Sequence, residues 1–352
     1  MTTVLILYGG RSSEHEVSCL SARSVLAALD RDRWDVVTVG ITRDGRWTLT
    51  DGRIEAPAGR PLPEVDEAGP TVGLVGTRSG PRVVRVDEEA GTATVVARPA
   101  VAFPVLHGPF GEDGTVQGLL DSVGLPYVGA DVTASSIGID KAAMKAAFGA
   151  AGLPQGAYRT VERRAWEADP AAVRADLDGL PLPWFSKPAR QGSSIGIRKV
   201  TDPSQVPDAL AEAFRYDEVA VVEQGLAAPR ELEIGVLGHA PVEVTAPGEI
   251  RPSHEFYDFE AKYLDESELV VPADLPAAKI AEAKELAERA YRAIGCRGMA
   301  RVDLFLSDDR LLVNEINTIP GFTPNSMFPR LWDAEGLGYS ALIDRLLDDA
   351  LA

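Results

Sequence analysis

Four polar residues near the end of the chain could together handle a hard cation and a phosphate: Arg301, Asp303, Glu315 and Asn317. Side chains two apart share a face of an extended strand, so Arg301 pairs with Asp303 on one strand and Glu315 with Asn317 on the next. The polar turn Ser307-Asp308-Asp309-Arg310 joins the two strands. Carboxylate and amide oxygens are what Mg²⁺ takes, usually alongside waters and nucleotide phosphates. Asp303, Glu315 and Asn317 are therefore a candidate ligand set, provided the two faces coincide. The plainer reading is a solvated outer face of a hairpin. Val302, Leu304, Leu306, Leu312 and Ile316 give the opposite face a core to pack on, which favours a placed hairpin.

A second constellation is Lys187-Pro188-Ala189-Arg190-Gln191-Gly192-Ser193-Ser194-Ile195-Gly196-Ile197, where a lysine ends an apolar strand and a Gly-Ser loop follows. Backbone N–H groups, hydroxyls and an ammonium together suit polyphosphate. No Gly-x-x-x-x-Gly-Lys-Ser/Thr occurs, so this is not a Walker A loop, and taken alone an ordinary hairpin turn explains it equally well. Lysine is scarce, seven residues among 35 basic ones. Lys141, Lys187 and Lys262 stand out beside probable ligand loops, although a lone lysine at a strand end is most often merely exposed. Glu14 follows Gly9-Gly10-Arg11, a turn that lacks the full Gly-x-Gly-x-x-Gly of a dinucleotide site. It could hold a substrate ammonium or simply favour a helix dipole. His107 opens a second glycine-rich run, His107-Gly108-Pro109-Phe110-Gly111-Glu112-Asp113-Gly114, and reads as either a core or a functional histidine.

These residues need a scaffold, and the pattern supplies an α/β one. Val4 to Tyr8 is a short apolar strand, Ser13-Glu14-His15-Glu16 has the form of a capping box, and Val17, Leu20, Val25 and Leu29 mark a buried helix stripe. Val36 to Ile41 adds a second strand, so the chain begins as an open sheet. Residues 51–100 are rich in Gly and Pro and read as loops and added hairpins, with the sheet resuming at Val101-Ala102-Phe103-Pro104-Val105-Leu106. Asp140 is placed as the N-cap of a helix that starts at Lys141 and ends near Gly152. A cation there opposes the helix dipole by ~0.3–1 kcal/mol, which phosphate would offset. A helix from about 277 to 294 and a last one from about 339 to 351 follow the later strands. There is no internal repeat and no heptad run.

The 352 residues, 45% hydrophobic, are enough for two or three domains. A net charge of -18 argues against general affinity for nucleic acid or anionic membrane. Cys19 and Cys296 fit neither a disulfide framework nor a zinc spacing, which points to structural thiols in a reducing cytoplasm. The opening residues have no basic n-region and too short an apolar run for a signal peptide or a membrane span.

In this order the segments resemble the D-alanine:D-alanine ligases over nearly the whole chain. The likeness rests on residues 9–18, residues 106–114, Phe256 to Tyr263, and Asn314-Glu315-Ile316-Asn317-Thr318-Ile319-Pro320-Gly321-Phe322-Thr323. The resemblance implies an ATP-grasp architecture: an N-terminal open parallel, Rossmann-like α/β domain (1–129), then two α+β units, a central one (130–222) and a C-terminal one (223–352), clasping ATP. It assigns Lys141, Lys187 and Lys262 to the phosphates, Glu223 and Leu226 to the adenine linker, and Glu231 to the ribose. Asp303, Glu315 and Asn317 match the ligands of two Mg²⁺ ions, with Mn²⁺ as a substitute. Glu14, Ser193 and Tyr263 match the set around the first D-alanine, Arg301 and the Gly321 backbone the oxyanion pair, and His107 and Ser326 positions near the first and second substrates. Residues 256–263 match a lid. The implied reaction joins two D-alanine molecules through an acyl phosphate, in a cytoplasmic enzyme expected to be a homodimer.

Three positions depart from the family pattern. Ser186 stands where an apolar residue usually precedes Lys187, Gln191 where glutamate is common, and Gln224 where lysine is common in the linker. The nearest rival is a ligase joining D-alanine to D-lactate or D-serine, which Tyr263 disfavours. A non-catalytic nucleotide sensor would lack magnesium ligands or the arginine, and neither is lacking here.

Overall fold

The computed structural model describes residues 1–57, 59–251 and 268–352. The opening apolar run forms β1 (Thr2–Gly9), which is flanked on both sides in a sheet of order β3-β2-β1-β7. β2 (Trp34–Ile41) and β7 (Val101–Val105) run parallel to β1, and β3 (Trp47–Thr50) closes the edge antiparallel to β2. Val4 to Leu7 are wholly buried. A strand covered on both faces has no solvent side, hence the unbroken apolar sequence.

Helix α1 (His15–Ala28) buries Ala22, Val25 and Leu26 against this sheet, while Val17 is buried along the cleft. The capping box read at 13–16 does not form. Glu14 itself occupies the N-cap position and makes no cap bond, because its carboxylate accepts a hydrogen bond from the Ser193 hydroxyl instead. Leu20 is only half-buried and turns to the functional cleft rather than the core stripe. Within 51–100 lies a separate antiparallel sheet, β4 (Val72–Thr77), β5 (Gly80–Asp87) and β6 (Thr92–Ala97).

After α2 (Thr115–Val123) and α3 (Val132–Ile139) comes α4 (Lys141–Ala150), capped as expected by Asp140, whose side chain accepts from the backbone N–H groups of Ala142 and Ala143. A four-stranded antiparallel sheet follows, of order β10-β9-β11-β8, built from β8 (Tyr158–Glu162), β9 (Trp184–Pro188), β10 (Arg198–Val200) and β11 (Val219–Gln224). Between these strands run α5 (Arg163–Ala168), α6 (Pro170–Leu177) and α7 (Val206–Ala213). Trp184, Leu177 and Leu210 join the core of this unit.

The largest sheet, of order β15-β14-β12-β16-β17 with β13 on β12, is antiparallel throughout. Its strands are β12 (Arg230–Gly238), β13 (Val242–Val244), β14 (Gly248–Arg251), β15 (Glu268–Val270), β16 (Met299–Ser307) and β17 (Arg310–Asn317). One face packs on α8 (Ala277–Ala293) and on α4 through Met144 and Phe148. The turn between β16 and β17 puts Asp308 and Asp309 at positive φ, as a tight two-residue hairpin requires. Asp303 pairs with Glu315 but Leu304 with Val313, so Asn314 is a bulge. That extra residue shifts the inward positions: Leu311 and Val313 join Ile316 in the core, and Leu312, expected there from strict alternation, is buried but stands apart from that core.

The chain ends with α9 (Met327–Ala334) and α10 (Tyr339–Leu351), which return to the first sheet. Leu342, Leu346 and Leu347 share a core with Val4, Ile6 and Val25, and Arg33 and Trp34 contact Asp344 at 2.9 and 2.6 Å. First and last segments of the chain are thereby held as one body around the cleft.

Candidate active site

Three adjacent strands give the cleft an acidic face. Register places Glu233 of β12 opposite Asp303 of β16, and Asp303 opposite Glu315 of β17, while Arg301 faces Asn317. The two faces inferred from alternation therefore coincide. Arg301 donates in a fork to Asp303, both bonds at 2.7 Å, and its Nε lies 3.0 Å from Glu233. Burial opposes the guanidinium charge, but Asp303 and Glu233 overcome it and hold its pKa well above the ordinary value. Asn317 donates to Asp303 at 3.0 Å, which fixes the amide within the set. Among the described residues no three His, Cys, Asp or Glu side chains cluster closely enough to hold a metal by themselves. Two carboxylates and one amide are the donor chemistry of a hard cation completed by water and phosphate.

Opposite this face lies the Gly-Ser loop. Asp217, buried, anchors its start by accepting from the Arg190 backbone at 2.9 Å and from the Arg190 guanidinium at 2.6 and 3.0 Å. Lys141 donates to the Gln191 carbonyl at 2.7 Å and stands 3.9 Å from Glu315, so it bridges loop and acidic face. Lys187 lies 3.1 Å from Glu223, which Lys145 approaches at 3.4 Å from the other side. Burial works to raise the Glu223 pKa, but the two ammonium groups prevail and hold it below the usual carboxylate range. Ser186, the departure behind Lys187, is satisfied: its hydroxyl donates to the Ala209 carbonyl of α7 at 3.3 Å.

At the far end the loop meets the first sheet. Ser193 and Ser194 both take positive φ, 48° and 58°, a conformation that non-glycine residues hold only when their surroundings fix it. Here Ser193 is fixed by Glu14. Two glycines make room for that carboxylate: a Cβ on Gly108 or Gly192 would stand 2.6 or 2.8 Å from Glu14 Oε2. His107 is buried, with Nδ1 3.1 Å from the Ile319 carbonyl and Nε2 3.1 Å from the Ser21 hydroxyl. Burial pushes its pKa down, so it is a neutral imidazole that ties β7 to the 318–323 segment. Glu112 accepts from the backbone N–H groups of Gly108 and Ile319 at 2.7 and 3.2 Å, and burial, then Glu14, pushes its pKa up to about 8. Phe322 packs between Phe103, Phe328 and Tyr339, and the Tyr339 hydroxyl donates to its carbonyl at 2.6 Å. These contacts fix the backbone at Gly321, beside Ser326, whose hydroxyl accepts from the Thr323 N–H at 3.1 Å.

A single cleft of about 1220 Å³ takes in all of this. Glu14, His107 and Ser193 line it at one end and Glu223, Leu226 and Glu231 at the other. Between them lie Lys141, Lys187, Arg301, Asp303, Glu315 and Asn317, with Gly321 and Ser326 on the same wall. Lys262, Tyr263 and the rest of residues 256–263, where a lid is expected, lie outside the described residues. Sequence reasoning missed Lys145, Glu112 and Glu233. Lys145 follows Lys141 by one helical turn in a lysine-poor chain, and Glu231-Leu232-Glu233 alternates as β16 and β17 do, so two of the three carried a readable signal.

An antiparallel sheet with paired carboxylates, facing a second sheet that carries lysines and a Gly-Ser loop, has the architecture of the ATP-grasp enzymes. Family profiles described as D-ala D-ala ligase N-terminus and D-ala D-ala ligase C-terminus match residues 3–130 and 147–348. The chain belongs to the D-alanine–D-alanine ligase family. It is 48% identical to a D-alanine–D-alanine ligase of Mycobacterium sp. (strain KMS), over 100% of this chain and 96% of that one. It is 46% identical to the enzyme of that name from Pseudarthrobacter chlorophenolicus, over 99% and 94%. Among solved structures, the VanG D-Ala:D-Ser ligase of Enterococcus faecalis superposes with a TM-score of 0.83 at 31% identity, covering 99% of both chains. The D-alanine-D-alanine ligase of Coxiella burnetii gives 0.82 at 30%, covering 99% and 94%.

Proposed function

We propose that the protein joins two D-alanine molecules at the expense of ATP to give D-alanyl-D-alanine, ADP and phosphate, a step in cell-wall precursor synthesis. The observation that carries this reading is the meeting, in one cleft, of the Glu14–Ser193 pair with the face of Asp303, Glu315 and Asn317 and the lysines opposite it. Glu14 takes the ammonium of the first D-alanine, with Ser193 holding that carboxylate in place. Lys141 and Lys187 draw the triphosphate toward the acidic face, offsetting repulsion as the substrate carboxylate attacks the γ-phosphate. Two Mg²⁺, or Mn²⁺, held by Asp303, Glu315 and Asn317 would neutralise phosphate charge. The second D-alanine attacks the acyl phosphate as a free amine. Arg301 and the Gly321 N–H are the groups placed to receive the tetrahedral oxyanion. Glu223, Leu226 and Glu231 hold the nucleoside, while family resemblance assigns Lys262 to the phosphates and Tyr263 to the first D-alanine together with Ser193. His107 and Ser326 stand by the first and second substrates, and water must be kept from the acyl phosphate.

The working unit is proposed as a cytoplasmic homodimer in which units 1–129, 130–222 and 223–352 clasp the nucleotide. Among the described residues no helix is long and apolar enough to cross a membrane.

Incubating the chain with ATP, Mg²⁺ and D-alanine should release phosphate and yield the dipeptide mass. Added D-serine or D-lactate should leave the dipeptide dominant. A mixed product in their presence would overturn the assignment of the second substrate, and no dipeptide would overturn the reaction. Glu14→Gln should raise the KM for the first D-alanine by roughly 10- to 100-fold, the ~1.5–3 kcal/mol of a charge-assisted bond. Its ATP KM should hardly move; initial rates with D-alanine varied at saturating ATP, and with ATP varied at saturating D-alanine, decide the point.

A further inference from the structure

Lys145 lies one helical turn beyond Lys141 on α4, between the core residues Met144 and Phe148, with only 2% of its surface exposed. A lysine so buried loses its hydration, which a partner charge must offset, and no role in packing calls for a charge. Its ammonium is 3.4 Å from Glu223 Oε1 and 5.4 Å from the Tyr158 ring centroid. Lys187 takes the other oxygen of the same carboxylate at 3.1 Å. All three side chains line the cleft, and Glu223 sits at the end of β11 where the chain leaves the sheet for β12.

Two ammonium groups thus share one buried carboxylate. If Lys187 were the only partner, every phosphate that drew it away would strand Glu223 as an unpaired buried charge, which is strongly unfavourable. Nucleotide binding would then oppose itself. We propose that Lys145 is a positioning residue for the nucleotide: it is the standing counter-ion of Glu223, which lets Lys187 turn from that carboxylate to the phosphates while Glu223 keeps its place in the nucleoside pocket. This rests on the reading of ATP as substrate and of Lys187 as its phosphate ligand. Burial lowers the Lys145 pKa and Glu223 offsets part of that, which agrees with a charge held by its partner.

The test is Lys145→Met, a neutral side chain of similar length, read by calorimetric titration with MgATP, by D-alanine kinetics and by thermal melting. The expected result is an ATP affinity at least tenfold weaker with the D-alanine KM unmoved. In a Glu223→Gln background the same substitution should cost less than threefold, because the charge it served is gone. An unchanged ATP affinity, a loss confined to melting temperature and kcat, or equal costs in both backgrounds would overturn the proposal. Should Lys145→Met be too unstable to purify, the double variant Lys145→Met/Glu223→Gln replaces it: recovery of a folded chain supports the pairing, and a double variant no more soluble than the single one overturns it. A wild-type chain that binds ATP but forms no dipeptide would sink the proposed reaction, and the titrations would still decide on Lys145.

Discussion

Replacing Arg301 by alanine is expected to lower kcat by about 10²–10³-fold, the loss that follows removal of one oxyanion donor, and to lower the melting temperature as well. ATP affinity should stay close to that of the parent chain. Both effects have one structural source. The guanidinium is forked to Asp303 at 2.7 Å and touches Glu233 at 3.0 Å, and all three side chains are largely withdrawn from solvent. Alanine leaves two carboxylates facing each other without a cation, a loss on the order of 3–5 kcal/mol for a broken buried pair. Arg301→Lys separates the contributions. A point charge restores much of the stability but cannot reproduce the planar two-bond fork that orients Asp303. The lysine variant should therefore melt near the parent and still turn over at least tenfold more slowly. Phosphate release and calorimetric melting of the three chains check this. Loss of ATP binding, or a kcat close to that of the parent chain, would contradict the assigned role.

The legibility of this site in the sequence follows the periodicity of its elements. β16 and β17 are long, keep strict alternation over 301–303 and 315–317 and are joined by two aspartates at positive φ, so alternation puts Arg301, Asp303, Glu315 and Asn317 on one surface. α4 is equally readable, since Asp140 and Gly152 mark its ends by side-chain capping and by a left-handed turn. Two expectations fail because a tertiary contact overrides a local pattern. The Ser-x-x-Glu sequence at 13–16 yields no capping box because Glu14 is recruited by Ser193, a residue 179 positions away. Leu312 leaves the core because one bulge at Asn314 inverts the alternation beyond it. Pairings such as Lys145 with Glu223, Glu112 with the Ile319 N–H and His107 with the Ile319 carbonyl are illegible for a different reason. They join segments that periodicity describes one at a time, and no local rule says which faces which. The choice of D-alanine is a step further removed: physical reading reaches phosphate chemistry with a hard cation, and family resemblance supplies the amino acid.

Glu315→Gln should reduce dipeptide formation by about a thousandfold at ordinary magnesium concentrations, with partial recovery when Mg²⁺ is raised. A cation polarising a phosphoryl group supplies several kcal/mol of transition-state stabilisation, and each ~1.4 kcal/mol is a factor of ten. The substitution keeps an oxygen in place and removes only the charge. A residue that merely filled space would tolerate it. Glu315 also stands 3.9 Å from Lys141, which in turn donates to the Gln191 carbonyl, so loss of its charge should loosen the hold of β17 on the Gly-Ser loop. This second effect fixes how the result is read. If Glu315 acts through Lys141 alone, Glu315→Gln raises the ATP KM and leaves the magnesium dependence where it was. If it is a ligand, the magnesium requirement climbs, and Asn317→Ala, whose parent side chain is neutral and donates to Asp303, shifts the requirement in the same direction. Rates measured across a magnesium titration at saturating ATP distinguish the two, and a parent-like titration for both variants would remove the metal from this face of the sheet.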